Sequence, residues 1–274
     1  MRCNLGVYEK AMPGTLTWRE KLLAAGSAGF DFVEMSVDET DEKLARLAWA
    51  PEQRRELRTL AACLGTDIRT MCLSGHRRFP IGSHEKAVRQ KGMSIMEAAG
   101  EVAYDVGIRI IQVAGYDVYY HEISDESSKG YFTENLAKSA DMAAARGVVL
   151  ALETMENEFM NTIEKAMYYV TAINSPYLQI YPDIGNVTNG AADVAADIRS
   201  GTGHLVAAHL KETAPGIFRN MRYGEGHVDF EKAVGQLKAQ GVRLFNAEFW
   251  YDGGRQYQEE LKYSYDFLSR YLLQ

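Results

Sequence analysis

Cysteine and proline are scarce in this chain, with 3 and 6 among 274 residues, and basic residues are outnumbered by acidic ones. Each shortage excludes something. Cys3, Cys63 and Cys72 form an odd, widely spaced set that suits neither a disulfide framework nor a zinc ribbon. They are expected to be reduced, buried thiols in a cytoplasmic protein. The few prolines, with no Gly/Ser tract, no run of like charge and no internal repeat, mark no linker. Residues 1–274 are therefore expected to form a single domain. A formal net charge of −7 provides no basic footprint for nucleic acid or an anionic membrane surface. No apolar run approaches the roughly 20 residues of a membrane span, and MRCNLGVYEKAM lacks the apolar centre of a signal peptide. The expected partner is a small molecule, not a nucleic acid or a membrane.

What the chain does have is alternation. Short apolar runs at 3–7, 32–35, 68–72, 108–113, 148–152, 178–181, 205–210 and 244–249 are each followed by a helical pattern. The helical stretches fall near 17–28, 51–64, 84–105, 131–145, 158–173, 191–199, 229–239 and 256–272. Thr17 with Glu20 makes a capping-box pair ahead of the first helix, and Pro51 suits the first turn of the second. The third helix turns Ala87, Met93, Met96, Ala99 and Ala103 toward a core, with the methionines as gap-fillers. Continuous apolar strands are expected where both sheet faces are covered. Eight such units predict an α/β protein, a (β/α)₈ TIM barrel. An open doubly wound sheet would want a glycine-rich phosphate turn after the first strand, and LGVYEK supplies none.

In such barrels function sits at the C-terminal ends of the strands. Strand five ends at Glu153, strand six at Asp183, strand seven carries His209, and strand eight ends at Glu248. One acid at a strand end is commonly a helix N-cap or a solvated residue. Three carboxylates and an imidazole at one mouth repel one another unless a cation lies between them. The set therefore predicts one divalent metal ion, Zn²⁺, Mn²⁺ or Mg²⁺, held by Glu153, Asp183, His209 and Glu248. Three carboxylates against a +2 ion leave one negative charge over. A metal that chelates a carbonyl and its neighbouring hydroxyl stabilises an enediolate, and an epimerisation needs one base on each face of it. Glu153 and Glu248 come from opposite sides of the mouth and are the expected acid/base pair.

Weaker candidates surround these four. Ser74, His76 and Arg77 in SGHRRFP, after strand three, combine donors with guanidinium and are candidates for a substrate phosphate. An arginine pair on a solvated loop is the plainer alternative. After strand seven come Lys211, Arg219, Arg222 and the turn Gly224-Glu225-Gly226-His227, whose glycine amides are candidate phosphate donors. His84, His121 and His204 read as surface or satisfied core histidines. Tyrosine-rich stretches at 167–169 and 263–271 are expected to leave aromatic surface suited to a homodimer.

VYEKAM, FDFVEMSVDETDEKL, SGHRRFPIGS, IQVAGYDVYY, YPDIGN, HLKET and YGEGHVDF together resemble the L-ribulose-5-phosphate 3-epimerase family, within the xylose-isomerase-like barrels. Its members include enzymes named L-xylulose-5-phosphate 3-epimerases, and the resemblance runs over nearly the whole chain. It implies a barrel, a divalent metal and interconversion of L-xylulose 5-phosphate with L-ribulose 5-phosphate. It places the metal on the same four residues, with the two glutamates doubling as acid and base. Related ketose 3-epimerases have a substrate-binding histidine where this chain has Asn186. They also use an arginine after strand seven, best matched by Arg219, with Arg222 as fallback. Asn186 agrees with the phosphorylated-pentulose branch, while Ala247-Glu248-Phe249-Trp250 departs from the aliphatic and Met residues expected before Trp. Three alternatives rank lower. They are an epimerase or isomerase of an unphosphorylated ketose, a metal-dependent abasic-site nuclease, and a non-catalytic sugar-binding protein. The nuclease needs more histidines than 6 and a positive approach surface.

Overall fold

The alternation closes into a barrel. The computed structural model describes residues 2–272. Its strands are β1 (Asn4–Tyr8), β2 (Phe32–Val37), β3 (Asp67–Leu73), β4 (Ile110–Ala114), β5 (Val149–Glu153), β6 (Leu178–Tyr181), β7 (Ala208–Leu210) and β8 (Leu244–Ala247). The helices are α1 (Trp18–Ala28), α2 (Asp41–Leu44), α3 (Pro51–Leu64), α4 (Lys86–Val106), α5 (Glu126–Ala144), α6 (Ile163–Ile173), α7 (Ile184–Gly190), α8 (Val194–Ser200), α9 (Phe230–Ala239) and α10 (Tyr257–Leu272). Every paired strand is parallel, in the order β6-β5-β4-β3-β2-β1-β8-β7. This is a (β/α)₈ TIM barrel in which α2 and α7 are short additions.

The seam between β6 and β7 is held only by isolated bridges, Ile180 to Leu205 and Asp183 to His209. Pro182 explains the gap, since it has no N–H to give a neighbouring strand and only its carbonyl is used, by the His209 amide at 2.9 Å. The apolar run at 205–210 therefore yields a strand of just three residues. All six residues of β2 are buried, as its continuous pattern predicts. Close packing also dictates Gly6, where a Cβ would come within 2.2 Å of the Phe32 ring.

Local chemistry sets the helix ends. Thr17 and Glu20 form the expected reciprocal cap of α1, and Pro51 opens α3. Helix α5 begins at Glu126 rather than 131, because Asp125 accepts from the Ser128 amide while the Ser128 hydroxyl serves the Asp125 amide. Helix α6 begins at Ile163 rather than 158, behind the Thr162 cap. The stretch expected near 191–199 is α8, capped by Asp193. Core contact of α4 starts at Gly92, and Ala87 is exposed, contrary to expectation. Cys3 and Cys72 are buried, but Cys63 is exposed. Of the tyrosine stretches, Tyr169 packs inside and Tyr263, Tyr265 and Tyr271 pack against the core, while Tyr168 remains 68% exposed. Among the described residues no helix is long and apolar enough to cross a membrane.

Candidate active site at the barrel mouth

Glu153 is the last residue of β5, and Asp183 is the N-cap of α7, just beyond β6. His209 is central in β7, and Glu248 follows β8, with its amide bonded to the Leu210 carbonyl. One donor atom from each of the four lies within 4.8 Å of the others. All four are buried. Asp183 has two uses. Its Oδ1 caps α7 through the Asn186 amide at 2.9 Å, and its Oδ2 faces the cluster.

The electrostatics call for positive charge. His209 Nδ1 lies 2.6 Å from Glu153 Oε1 and 3.5 Å from Glu248 Oε2. Lys211 Nζ lies 2.5 Å from Asp183 Oδ2 and 3.8 Å from Glu248 Oε2, and it donates to Asn186 Oδ1 at 2.8 Å. Asp183 Oδ2 and Glu248 Oε2 are nevertheless buried without a hydrogen bond of good geometry. Burial and the nearby Glu248 carboxylate push the Asp183 carboxyl up to about 6, against the pull of Lys211. Burial likewise raises Glu153, against His209 and Lys211. For His209, burial disfavours the charged ring, but Glu34, Glu248 and Glu153 outweigh it and hold the imidazole well above its ordinary value. A divalent cation fits this oxygen-rich cluster, in which two buried carboxylate oxygens, Asp183 Oδ2 beside Lys211 and Glu248 Oε2, accept no well-aligned hydrogen bond. Lys211 supplies the one positive charge by which three carboxylates exceed such an ion.

Beneath these four lies a polar layer that strand-end reading missed. Glu34 is fully buried in β2 and accepts from His209 Nε2 at 2.7 Å and Asn246 Nδ2 at 2.9 Å on one oxygen. Its other oxygen accepts from Thr70 Oγ1 at 2.7 Å and the Tyr181 hydroxyl at 3.2 Å. Gln112 donates to Glu153 Oε2. A signal was present, because Glu34, Thr70, Gln112 and Asn246 each interrupt an apolar strand. A polar residue there must point into the barrel and find a partner.

The remaining candidates divide. Asn186 is buried in the cluster, with Nδ2 donating to the Thr154 carbonyl at 2.8 Å. Lys211 is committed to Asp183 and Asn186 in the cluster instead of standing in an outer loop. Ser74 is buried in the short turn after β3. His76 turns away from the mouth, as its Nε2 donates to the Gly92 carbonyl of α4 at 3.0 Å, and burial lowers its pKa to about 4. His227 is exposed, with its amide bonded to the Thr213 carbonyl. Arg77 lies over the Tyr116 and Tyr119 rings and donates to the Tyr116 hydroxyl at 3.5 Å. Tyr116 donates in turn to Glu156, which pairs with Arg219 Nη2 at 3.7 Å. Arg219 lies over Trp250, whose ring meets Tyr8 edge-on. Glu156 and Tyr116 are thus rim residues that sequence reading did not single out, and they stand beside Trp250 of the motif Ala247-Glu248-Phe249-Trp250. From Glu248 and Lys211 a cavity of about 350 Å³ opens toward the loops after β7 and β8, past Arg219 and Trp250.

Barrel and site together place the protein by class, and residues 22–270 match the family model described as a xylose isomerase-like TIM barrel. Solved structures agree in fold. An L-ribulose 3-epimerase superposes with a TM-score of 0.83 at 20% identity, over 100% of this chain and 95% of that one. A D-psicose 3-epimerase crystallised with D-fructose gives 0.82 at 17%, over 98% and 99%. The L-ribulose-5-phosphate 3-epimerase UlaE of Salmonella paratyphi A is 51% identical over 237 residues, 86% of this chain and 83% of that protein. The chain belongs to the L-ribulose-5-phosphate 3-epimerase family.

Proposed function

We propose that this chain is a divalent-metal-dependent 3-epimerase interconverting L-xylulose 5-phosphate and L-ribulose 5-phosphate. The observation that carries the proposal is the meeting of two buried glutamates, Glu153 from β5 and Glu248 from β8, at one donor cluster beside a cavity of sugar size. Its relatives at 51% identity bear the name of that activity.

Zn²⁺, Mn²⁺ or Mg²⁺ held by Glu153, Asp183, His209 and Glu248 would supply Lewis-acid stabilisation to the negative charge that develops when the carbon-3 proton leaves. The protein's own groups do the rest. One glutamate removes the proton from one face of the substrate, and the other returns a proton to the opposite face. Burial of Glu153 raises its proton affinity above that of a solvated carboxylate, against the pull of His209. Lys211, fixed between Asp183 and Asn186, keeps an ammonium beside Glu248 and offsets the crowding of carboxylates. Glu34 holds His209 by Nε2, which leaves Nδ1 to face the cluster, and the Tyr181 ring packs on the imidazole at 4.6 Å. Cytoplasmic location and a homodimer belong to the same proposal, supported by the free cysteines and by the exposed Tyr168.

Glu34→Gln is expected to weaken metal binding by about 10- to 100-fold, because an amide cannot accept from His209 Nε2, Asn246, Thr70 and Tyr181 as a carboxylate does. Titration calorimetry of metal-free protein with Mn²⁺ measures this, and an unchanged affinity would remove Glu34 from the role.

The proposal as a whole is tested by incubating metal-loaded protein with L-xylulose 5-phosphate in D₂O and following carbon 3 by NMR. Deuterium entering at carbon 3 as L-ribulose 5-phosphate appears is the expected result. Deuterium at carbon 1 with an aldose product would mean an isomerase, and no exchange would mean the wrong substrate class.

A further inference from the structure

Gln112 is the one polar residue of β4, in a strand that otherwise consists of Ile110, Ile111, Val113 and Ala114. It pairs with Cys72 of β3 and Ala151 of β5, and it is fully buried. Side chains two apart on a strand share a face, so Glu153 stands on the face of Ala151, one step nearer the mouth. Ala151 and Ala114, the partner of Glu153 on β4, are both small. They leave room for the long Gln112 side chain to reach diagonally to Glu153.

The contact has a direction. Gln112 Nε2 donates to Glu153 Oε2, while Glu153 Oε1 lies 2.6 Å from His209 Nδ1. A reversed amide would set its carbonyl against a carboxylate oxygen, so the donor end must face Glu153. Gln112 Oε1 is then left buried without a hydrogen bond. That oxygen is a cost to folding which an apolar side chain of the same length would not carry. Among the described residues the Gln112 side chain makes a single hydrogen bond, the one to Glu153.

Glu248 is held differently. Its Oε2 is buried without a hydrogen bond of good geometry, with His209 Nδ1 at 3.5 Å and Lys211 Nζ at 3.8 Å. Of the polar side chains beneath the cluster, Glu34 serves His209, while Thr70, Tyr181 and Asn246 serve Glu34. Gln112 is the member of that layer which serves a glutamate of the acid/base pair.

The geometry points to Gln112 as the positioning residue for Glu153. The last torsion of a glutamate is broad unless something holds it. By tying down Oε2, Gln112 stops the carboxylate from turning and presents Oε1 to the cluster. Glu153 is therefore the rigid member of the pair and Glu248 the adjustable one. The catalytic meaning of this rests on the proposed function, whereas its effect on metal binding rests on the donor cluster alone. An apolar residue at 112 should disturb the half of the reaction that Glu153 serves and leave the half that Glu248 serves.

The experiment follows loss of the carbon-3 proton in D₂O from L-xylulose 5-phosphate and from L-ribulose 5-phosphate at saturating Mn²⁺. It compares wild type, Gln112→Met, Glu153→Gln and the double variant, with Mn²⁺ titration calorimetry of each metal-free protein. Gln112→Met is expected to slow exchange by about 10- to 100-fold and to weaken Mn²⁺ binding by a similar factor. The exchange loss should fall on the epimer that Glu153→Gln also loses, with the other kept near the wild-type rate and KM little changed. In the Glu153→Gln background, Gln112→Met should cost the residual exchange nothing more, because it acts only through Glu153. Equal losses on both epimers, losses that add in the double variant, or wild-type exchange and Mn²⁺ affinity in Gln112→Met would overturn the assignment. Gln112→Asn keeps the amide but draws it back by one methylene, and it gives the same reading if Gln112→Met does not fold. A wild type that exchanges neither epimer would overturn the functional reading, and the Mn²⁺ titration would still decide whether Gln112 positions Glu153.

Discussion

Glu248→Gln is expected to lower kcat for L-xylulose 5-phosphate by about 10²- to 10⁴-fold, the usual worth of a positioned acid or base, and Glu153→Gln by a similar factor. The two losses should differ in kind. Glu248 lines the cavity, and its Oε2 is buried without a hydrogen bond. Glu153 lies on the other flank of His209, with Oε1 on Nδ1 and Oε2 receiving Gln112. If each serves one face of the substrate, each glutamine variant retains one working base. In D₂O, one variant should then exchange the carbon-3 proton of L-xylulose 5-phosphate and the other that of L-ribulose 5-phosphate, with neither producing the opposite epimer at a normal rate. Both residues also sit among the candidate metal donors, so metal content must be measured beside the rates. A variant that keeps its metal, loses epimerisation and still exchanges one epimer isolates proton transfer from metal binding. If Glu153→Gln epimerised within tenfold of wild type, the two-base assignment would be lost.

The architecture was legible because hydrophobic alternation and strand-end chemistry are local. Glu153, Asp183, His209 and Glu248 could be found by asking what stands where an apolar run stops. Glu34 could not be found that way, since its value depends on His209, 175 positions further on, and on Asn246, 212 positions further on. Only closure of the barrel brings those groups together. Helix α7 was missed for a related reason. Its sequence IGNVTNG is rich in poor helix formers, and it is held by the Asp183 cap and by Thr188 bonding back to the Ile184 carbonyl. His76 misled because a histidine beside two arginines reads as a ligand-binding group, whereas its ring is buried against α4. Composition alone did not show that Gly226 packs against Glu212 and the Thr213 carbonyl, or that Gly224 takes a positive φ beside Phe267.

The largest stability effect is expected at Glu9, which follows β1 and is 1% exposed. Three cations converge on it. Lys21 lies 2.6 Å away, Lys43 2.9 Å, and Arg46 grips both oxygens at 2.5 and 2.7 Å. Arg46 is itself flanked by the Trp18 and Trp49 rings. Burial alone would raise the Glu9 pKa, but Arg46, Lys21 and Lys43 outweigh it and hold the carboxyl well below the usual carboxylate range. Glu9→Gln keeps the shape and removes the only carboxylate, among the described residues, within hydrogen-bonding distance of these three cations, leaving three buried charges to repel one another. A loss of about 3–5 kcal/mol is expected, or roughly 6 to 20 °C in Tm for a chain of this size. The pH dependence fixes the cause. A carboxyl whose folded pKa is depressed contributes stability that is full above its unfolded value, about 4.3, and is lost as pH falls toward the folded value. The gap between wild type and Glu9→Gln should therefore be constant between pH 6 and pH 8, by the same linkage, and shrink below about pH 4. Lys21→Met in the Glu9→Gln background should restore part of the loss by removing one unpaired cation. Denaturant titrations that place Glu9→Gln within 1 kcal/mol of wild type at neutral pH would show the cations to be solvated instead, by the measure set for buried pairs. The Ser36 amide also donates to Glu9, and Ser36 meets the Tyr8 hydroxyl at 3.0 Å, so the cluster adjoins the wall that carries Trp250. Below its lowered melting temperature the Glu9→Gln variant should keep its activity and lose it only as the fold is lost, because Glu9 touches none of the four cluster residues.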